Sequence, residues 1–310
     1  MFKKYNSIEN SYQQKFILRM LEQYPELKDA KYSIREKLDG SNLQLYFETN
    51  KQMRVGKRTS FLEEGDKFFD VWSTLKKYEP QVIKLQQYVD NYGCHCTVRV
   101  FAELYGSGVQ KRINYGEEKS ISFFDIEIND KMLSQKQFEQ IMADLQIDNI
   151  APLLKYVGSL KEALEYSPDF NSKVLGVENN PSEGIVIKPY EREYYSKVGS
   201  RFLLKKKADA FSEKMKVKPG KKRTDEVTKI VNAKIEFQSY INDNRVKSTF
   251  SKHGEIESPD QLGKYIQLVL ADAKGDFLKE YNISDLDDKE LKKIYGSGGK
   301  HIVALLKGYL

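Results

Sequence analysis

Hydrophobic residues alternate with polar ones in short runs over the first two thirds of the chain and recur at three- and four-residue spacings over the last third. In residues 43–48, Leu43, Leu45 and Phe47 alternate with Gln44, Tyr46 and Glu48, the period of a strand with one buried face. Residues 31–35 form a strand-like run just before it, and further strands are predicted over 94–104, 120–128, 184–189 and from 201 into 207. In 120–128 the alternation sets Ile121, Phe123, Asp125 and Glu127 on one face and Ser122, Phe124, Ile126 and Ile128 on the other. Phe16, Ile17, Met20, Leu21 and Tyr24 make residues 10–24 an amphipathic helix that stops at Pro25. Val71, Leu75, Tyr78, Val82, Leu85 and Val89 share one side of a helical stretch over 66–92, which Pro80 splits or kinks. Ser134 and Ser159, each with Gln or Glu three residues on, fit capping boxes ahead of short helices.

From residue 224 the pattern is helical only. Residues 224–241 read as a helix, as do 291–295 and 302–306, and Ser258 and Pro259 fit the N-cap and first position of a helix carrying Leu262, Tyr265, Ile266, Val269 and Leu270. Residues 216–223, with Pro219 and Gly220, read as a linker. At 310 residues the chain exceeds the usual single-domain size. The expectation is an α+β domain of antiparallel sheets flanked by helices over 1–222, followed by a small all-α domain over 223–310.

Composition narrows the class. Hydrophobic residues at 40% and charged residues at 31% describe a soluble globular chain, and no apolar run approaches the ~20 residues that span a membrane. Residues 1–6 lack the apolar centre of a signal peptide, so an intracellular protein without membrane association is expected. Cys94 and Cys96 flank His95, but only His253 and His301 remain as further soft ligands, so the cysteines read as reduced and structural rather than as a zinc site. Residues 197–223 hold eleven Lys/Arg (Lys197, Arg201, Lys205, Lys206, Lys207, Lys214, Lys216, Lys218, Lys221, Lys222, Arg223) against Asp209 and Glu213, while the rest carries 40 basic and 43 acidic residues. This one stretch supplies all of the +6 net charge, which points to a polyanionic partner.

The candidate chemistry centres on Glu36-Lys37-Leu38-Asp39-Gly40-Ser41-Asn42, a break between two strands. A lysine fixed there beside a carboxylate and a permissive glycine suits covalent nucleotidyl transfer, in which the amine attacks an α-phosphate; a charged turn is the plainer alternative. An ordinary lysine pKa is ~10.4, and cations such as Lys205, Lys207 or Arg58 nearby would lower it. Lys205 and Lys207 share a strand face while Lys206 points away. Asp39, Glu103 and Glu183 are hard oxygen donors suited to Mg²⁺ or Mn²⁺, through water.

In their order along the chain these pieces resemble the nucleotidyltransferase superfamily of ATP-dependent ligases and capping enzymes, most closely RNA ligases of the phage RNA ligase 2 type, over about residues 34–213. The resemblance implies a nucleotidyltransferase (adenylation) fold and matches Lys37 to the adenylated lysine, Arg58 to the arginine after it, and Glu103 to the third-motif glutamate. By it Phe123 or Phe124 stacks on adenine, Glu183 and Lys188 form the fourth motif, and Lys205 and Lys207 the fifth. Glu36 and Asn42 complete the nucleotide-binding set, Asn42 as in the RNA ligase 2 type, although Asp39 stands where many of these ligases carry histidine. What it implies is an ATP-dependent RNA ligase using Mg²⁺ or Mn²⁺, a monomer that joins 3′-hydroxyl and 5′-phosphate ends of nicked or paired RNA through lysyl-AMP and an RNA-adenylate. A DNA ligase or capping enzyme, or an inactive RNA-binding relative, are the alternatives, the first two normally carrying a C-terminal OB barrel.

Overall fold

The computed structural model describes residues 1–92, 95–214, 226–284 and 286–310. Cys94, the expected linker over 216–223 with its five basic residues, and the expected boundary at 222/223 lie outside the described residues. Contacts divide the chain into two compact units, Met1–Ala210 and Phe211–Leu310.

In chain order the first unit holds β1 (Glu9–Asn10), α1 (Gln14–Gln23), β2 (Tyr32–Glu36), β3 (Gly40–Glu48), β4 (Arg54–Lys57), α2 (Val71–Lys77), α3 (Glu79–Asn91), β5 (Thr97–Gly106) and β6 (Lys119–Ile128). It continues with β7 (Lys131–Met132), α4 (Gln135–Asp144), β8 (Leu153–Val157), α5 (Leu160–Glu165), β9 (Gly184–Pro189) and β10 (Leu204–Lys207). Pro80 falls in the first turn of α3, where its missing N–H costs nothing, so the long helical stretch is split in two. Ser134 caps α4 with a full capping box, and the Ser159 hydroxyl accepts the Glu162 N–H at the start of α5.

Among the described residues ten strands form two sheets, β4-β3-β5-β6-β7, antiparallel throughout, and β1-β10-β9-β2-β8, antiparallel except where β1 meets β10. Each sheet is covered on its outer face by helices. Leu43, Leu45, Phe47, Val98, Val100, Phe123 and Ile126 pack with Val71, Leu75, Leu85, Val89, Phe138 and Met142 of α2, α3 and α4. On the other side Tyr32, Ile34, Ile185, Ile187 and Leu204 pack against Phe16, Ile17 and Met20 of α1 and Leu160 and Ala163 of α5. The inner faces meet over a small cluster of Tyr5, Phe101 and Leu203 with Phe124 and Val186 beside it. Burial of each such side chain stabilises by about 1.5–3 kcal/mol, which fixes the register of the strands that carry the polar inner residues.

β6 departs from the simple alternation. Phe101 pairs with Asp125 and Ala102 with Phe123, so Phe124 is an extra residue, a β-bulge. The bulge reverses the phase. Ile121, Phe123, Ile126 and Ile128 face the helices, whereas Phe124 and Asp125 both turn to the inner side with Tyr5.

The second unit contains α6 (Glu226–Ser239), α7 (Asp243–His253), α8 (Leu262–Glu280) and α9 (Asp288–Lys307), with no strand among its described residues. Phe237, Tyr240, Val246, Phe250, Val269, Phe277, Ile294 and Ile302 form its core. The two runs read separately at 291–295 and 302–306 belong to the one helix α9, and Ser258 leads into a 3-10 turn at Pro259–Gln261 without capping it through its hydroxyl. The architecture is the α+β one expected, antiparallel sheets flanked by helices plus an all-α unit. Among the described residues no helix is long and apolar enough to cross a membrane.

Candidate active site

The loop Lys37-Leu38-Asp39 joins β2 in one sheet to β3 in the other, so Lys37 stands at the seam between the sheets. Its backbone is held there: the Lys37 N–H donates to the Gly184 carbonyl (2.9 Å) and the Asp39 N–H to the Tyr115 hydroxyl (3.0 Å). Gly40 permits the return into β3, because a Cβ there would lie 2.3 Å from the Leu104 carbonyl oxygen.

The Lys37 side chain, 19% exposed, donates to Glu183 Oε2 at 2.6 Å, and the Lys207 ammonium meets the other carboxylate oxygen of Glu183 at 2.7 Å. Burial pushes the Glu183 carboxyl up, but Lys207 and Lys37 outweigh it and hold the pKa at about 2. The immediate partner of Lys37 is thus a carboxylate rather than the cations expected beside it. Lys205 lies two residues before Lys207, opposite Val186 and on the same strand face; Lys206 turns outward, donating to the carbonyls of Leu164 and Tyr166.

Asn42 and Glu103 are cross-strand partners on the inner face of the other sheet, and Ser122 follows Glu103 in the same row. Glu103 experiences Lys37, Glu183, Asp39 and Arg58 together, and burial, with Glu183 and Asp39 adding to it, raises its carboxyl to about 8. Arg58 reaches the same region, 5.9 Å from the centre of the Tyr5 ring. The structure therefore brings Lys37, Arg58, Asn42, Glu103, Glu183 and Lys207 to one place.

Three expected nucleotide contacts are placed differently. Phe123 is fully buried among the helix-facing core residues, because the bulge puts Phe124 rather than Phe123 on the inner face. Lys188 is buried with its ammonium committed to the Phe124 carbonyl (2.7 Å) and Asp125 (3.0 Å), so it secures the bulge from beneath. Glu36 accepts from the Ser172 hydroxyl (2.6 Å) and the Lys173 N–H (2.7 Å), which ties down the 172–173 segment.

A family model for RNA ligase matches residues 30–207, more than half of the chain, and one for the T4 RNA ligase 2 C-terminal region matches residues 221–301. The chain belongs to the RNA ligase family. Solved structures of the Naegleria gruberi RNA ligase share its fold. A variant without ligand aligns at 19% identity and a TM-score of 0.51, covering 68% of this chain and 56% of that one. The form with pyrophosphate aligns at 20% and 0.52, and a variant with AMP and manganese at 19% and 0.51, each covering 68% of this chain and 57% of the other. The chain thus spans less than two thirds of the length of these neighbours, and at such identity the likeness is one of fold.

Every expected site residue of this RNA ligase family member, from Glu36 to Lys207, falls inside the matched 30–207 span. Two residues of its seam were not foreseen. Arg112, in the loop between β5 and β6, donates from Nε and Nη2 to both oxygens of Asp39 (2.9 and 2.6 Å), and Tyr115 of the same loop takes the Asp39 N–H. Burial and Glu183 push the Asp39 carboxyl up while Arg112 opposes them. Beneath lies a buried charge cluster in which Asp125 meets Tyr5, Lys188 and Arg201, and Arg201 also pairs with Glu193. The basic character of Arg112 is visible in sequence, but nothing local signals a partner 73 residues away.

Proposed function

We propose that this chain is an ATP-dependent RNA ligase that joins 3′-hydroxyl and 5′-phosphate RNA ends through lysyl-AMP and an RNA-adenylate. The observation that carries the reading is the Lys37–Glu183–Lys207 arrangement at the seam of the two sheets. In the first step the Lys37 amine forms a bond to the α-phosphorus of ATP, the bond from that phosphorus to the bridging oxygen breaks, and pyrophosphate leaves. Next an oxygen of the RNA 5′-phosphate displaces the lysine from AMP. Finally the 3′-hydroxyl attacks the 5′-phosphorus, loses its proton, and AMP departs.

A carboxyl held at about 2 is too weak a base to take the Lys37 proton near neutral pH, so Glu183 positions the amine instead. Lys207, with Lys205 on the same face and Arg58 opposite, offsets charge developing on the α-phosphate. Phe124 is the aromatic side chain assigned to the base, and Asn42 lies in the pocket row beside Glu103.

Among the described residues no group of three or more Asp, Glu, His or Cys stands together to cage a metal ion, and Arg112 already occupies both oxygens of Asp39. Asp39, Glu103 and Glu183 are hard oxygen donors that would meet a hydrated Mg²⁺ or Mn²⁺ only through water, with phosphate oxygens as its direct ligands. When bound, such an ion supplies neutralisation of phosphate charge. The expected domains, 1–222 for adenylation and 223–310 for RNA handling, remain part of this proposal.

Incubation with ATP labelled at the α-phosphate, with and without divalent metal, should give a covalently labelled protein, and GTP should not. Sealing of nicked RNA duplexes, single-stranded RNA and DNA counterparts then assigns the substrate. A chain ending at residue 223 should keep the label and lose most joining. GTP labelling, or sealing confined to DNA, overturns the reading.

A further inference from the structure

Residues 224–310 carry no net positive charge, yet their charge is segregated. Residues 224–310 hold 13 Lys/Arg and 14 Asp/Glu, but the last twenty residues contain Lys292, Lys293, Lys300 and Lys307 and no acidic residue. All four lie on α9 and are exposed, as is Lys289 one turn earlier. At 100° per residue, Lys289, Lys293, Lys300 and Lys307 fall within about 40° of one another, opposite the buried Ile294, Gly298 and Ile302. Successive seven-residue steps put Lys293, Lys300 and Lys307 about 10 Å apart along a straight line. Elsewhere in the unit three basic groups are consumed internally, Arg245 by Asp272 and Asp276, Lys252 by Asp272, and Lys247 by Asp243, while exposed lysines such as Lys229 and Lys264 do not share a helix face with the α9 row. Among the described residues none of these five α9 lysines has a carboxylate at ion-pair distance, and two of the nearby acids, Asp287 and Glu290, are engaged in the capping box.

Glycine supplies a second, independent observation. α9 contains Gly296, Gly298 and Gly299 in its interior, where each weakens the helix relative to alanine. Gly298 has an internal cause, since a Cβ there would lie 2.3 Å from Ile241 Cδ1 and 3.1 Å from Phe237 Cε1. Gly296 and Gly299 have none: a Cβ at either would meet nothing within 4 Å. Gly296 lies in the lysine row, midway between Lys293 and Lys300, and leaves the helix backbone bare for close approach. The face has no large exposed apolar side chain, because the apolar side of α9 is spent on the unit's own core, so it lacks what a membrane-surface helix requires.

We propose that the exposed face of α9, Lys289 to Lys307 with Gly296 at its middle, is a docking surface for the phosphodiester backbone of an RNA strand. The proposal rests on the ligase reading for the identity of the polyanion. Such contacts are sequence-independent and salt-sensitive, and they hold an end in register without reading its bases.

The test measures binding of the full chain to a 5′-phosphorylated nicked RNA duplex, by fluorescence anisotropy over a range of salt, without ATP. The triple variant Lys293→Glu/Lys300→Glu/Lys307→Glu is compared with a charge-matched control, Lys161→Glu/Lys229→Glu/Lys264→Glu, after circular dichroism shows both folded. The α9 variant should bind at least about tenfold more weakly, with a log–log salt slope shallower by about 2–3, at about 0.9 per lost phosphate contact; the control should change neither quantity by as much. Equal losses in both variants, or no loss in the α9 variant, overturn the proposal. So does loss of binding to phosphatidylserine vesicles with RNA binding intact. Wild-type protein is labelled with ATP in parallel: RNA binding through α9 without a protein–AMP adduct would sink the ligase reading and leave this surface standing.

Discussion

Replacing Glu183 with glutamine keeps the shape of the side chain and removes the charge between two ammonium groups. Its oxygens lie 2.6 Å from Lys37 Nζ and 2.7 Å from Lys207 Nζ, and its side chain is 3% exposed. The carboxyl is held at about 2 against an ordinary 4.5, with its own burial already working the other way. At ~1.4 kcal/mol per pH unit, the fold prefers the ionised form by roughly 3 kcal/mol, in the range for breaking one partner of a buried pair. Glutamine stands in for the protonated acid, so Glu183→Gln should lose roughly 3 kcal/mol of stability at pH 7, or roughly 6–12 °C in Tm for a unit of this size. The sign with pH is set by the lowered pKa. Stability from Glu183 is fully present above pH 4.5 and is lost as pH falls towards 2, so wild type and variant should converge in acid. The single tryptophan, Trp72, packs at the edge of the first unit's core, so its fluorescence during urea unfolding follows that unit alone. A variant as stable as wild type at pH 7, or a difference that stays constant from pH 7 to pH 3, refutes the assigned electrostatics.

The bulge in β6 makes two adjacent phenylalanines inequivalent: Phe124→Ala should raise the KM for ATP in adenylation with a modest change in Tm, whereas Phe123→Ala should destabilise by about 3–5 kcal/mol, and the reverse pattern would place the base against the wrong ring. The Glu103 carboxyl is raised to about 8, so the fold favours its protonated form. The ligand-free protein should therefore lose stability as pH rises from 4.5 to 8, by up to about 1.4 kcal/mol per unit, and urea titrations should find this slope reduced in Glu103→Gln. Arg112→Ala and Arg112→Lys should both slow protein–AMP formation about tenfold to a hundredfold, since lysine cannot reproduce the two-pronged grip on Asp39; single-turnover labelling at saturating ATP separates this from weaker ATP binding.

Local patterns carried the elements and the loop that matters most. The alternation of Leu43, Leu45 and Phe47 placed Lys37 in a break between strands, and the Lys205/Lys207 spacing set both on one face, because each follows from a period of two. Sequence could not tell that β2 and β3 belong to different sheets, which is what puts Lys37 at a seam. Nor could it show the bulge, since Phe123 and Phe124 are equally apolar and only pairing with β5 selects between them. Nor could sequence show that Lys188, matched by resemblance to the fourth motif, spends its ammonium on Asp125 and the Phe124 carbonyl, both of which reach it only through the fold. α7 escaped notice because half of its buried face is polar: Arg245 and Thr249 accompany Val246 and Phe250, with Arg245 satisfied by acids on α8.

The central claim is that Lys37 carries AMP, and mass spectrometry of the proteolysed protein after reaction with ATP and divalent metal tests it most directly. The account predicts a single adenylated peptide modified at Lys37, absent from Lys37→Ala protein. An adduct at Lys205 or Lys207, or one that persists in Lys37→Ala, would contradict it.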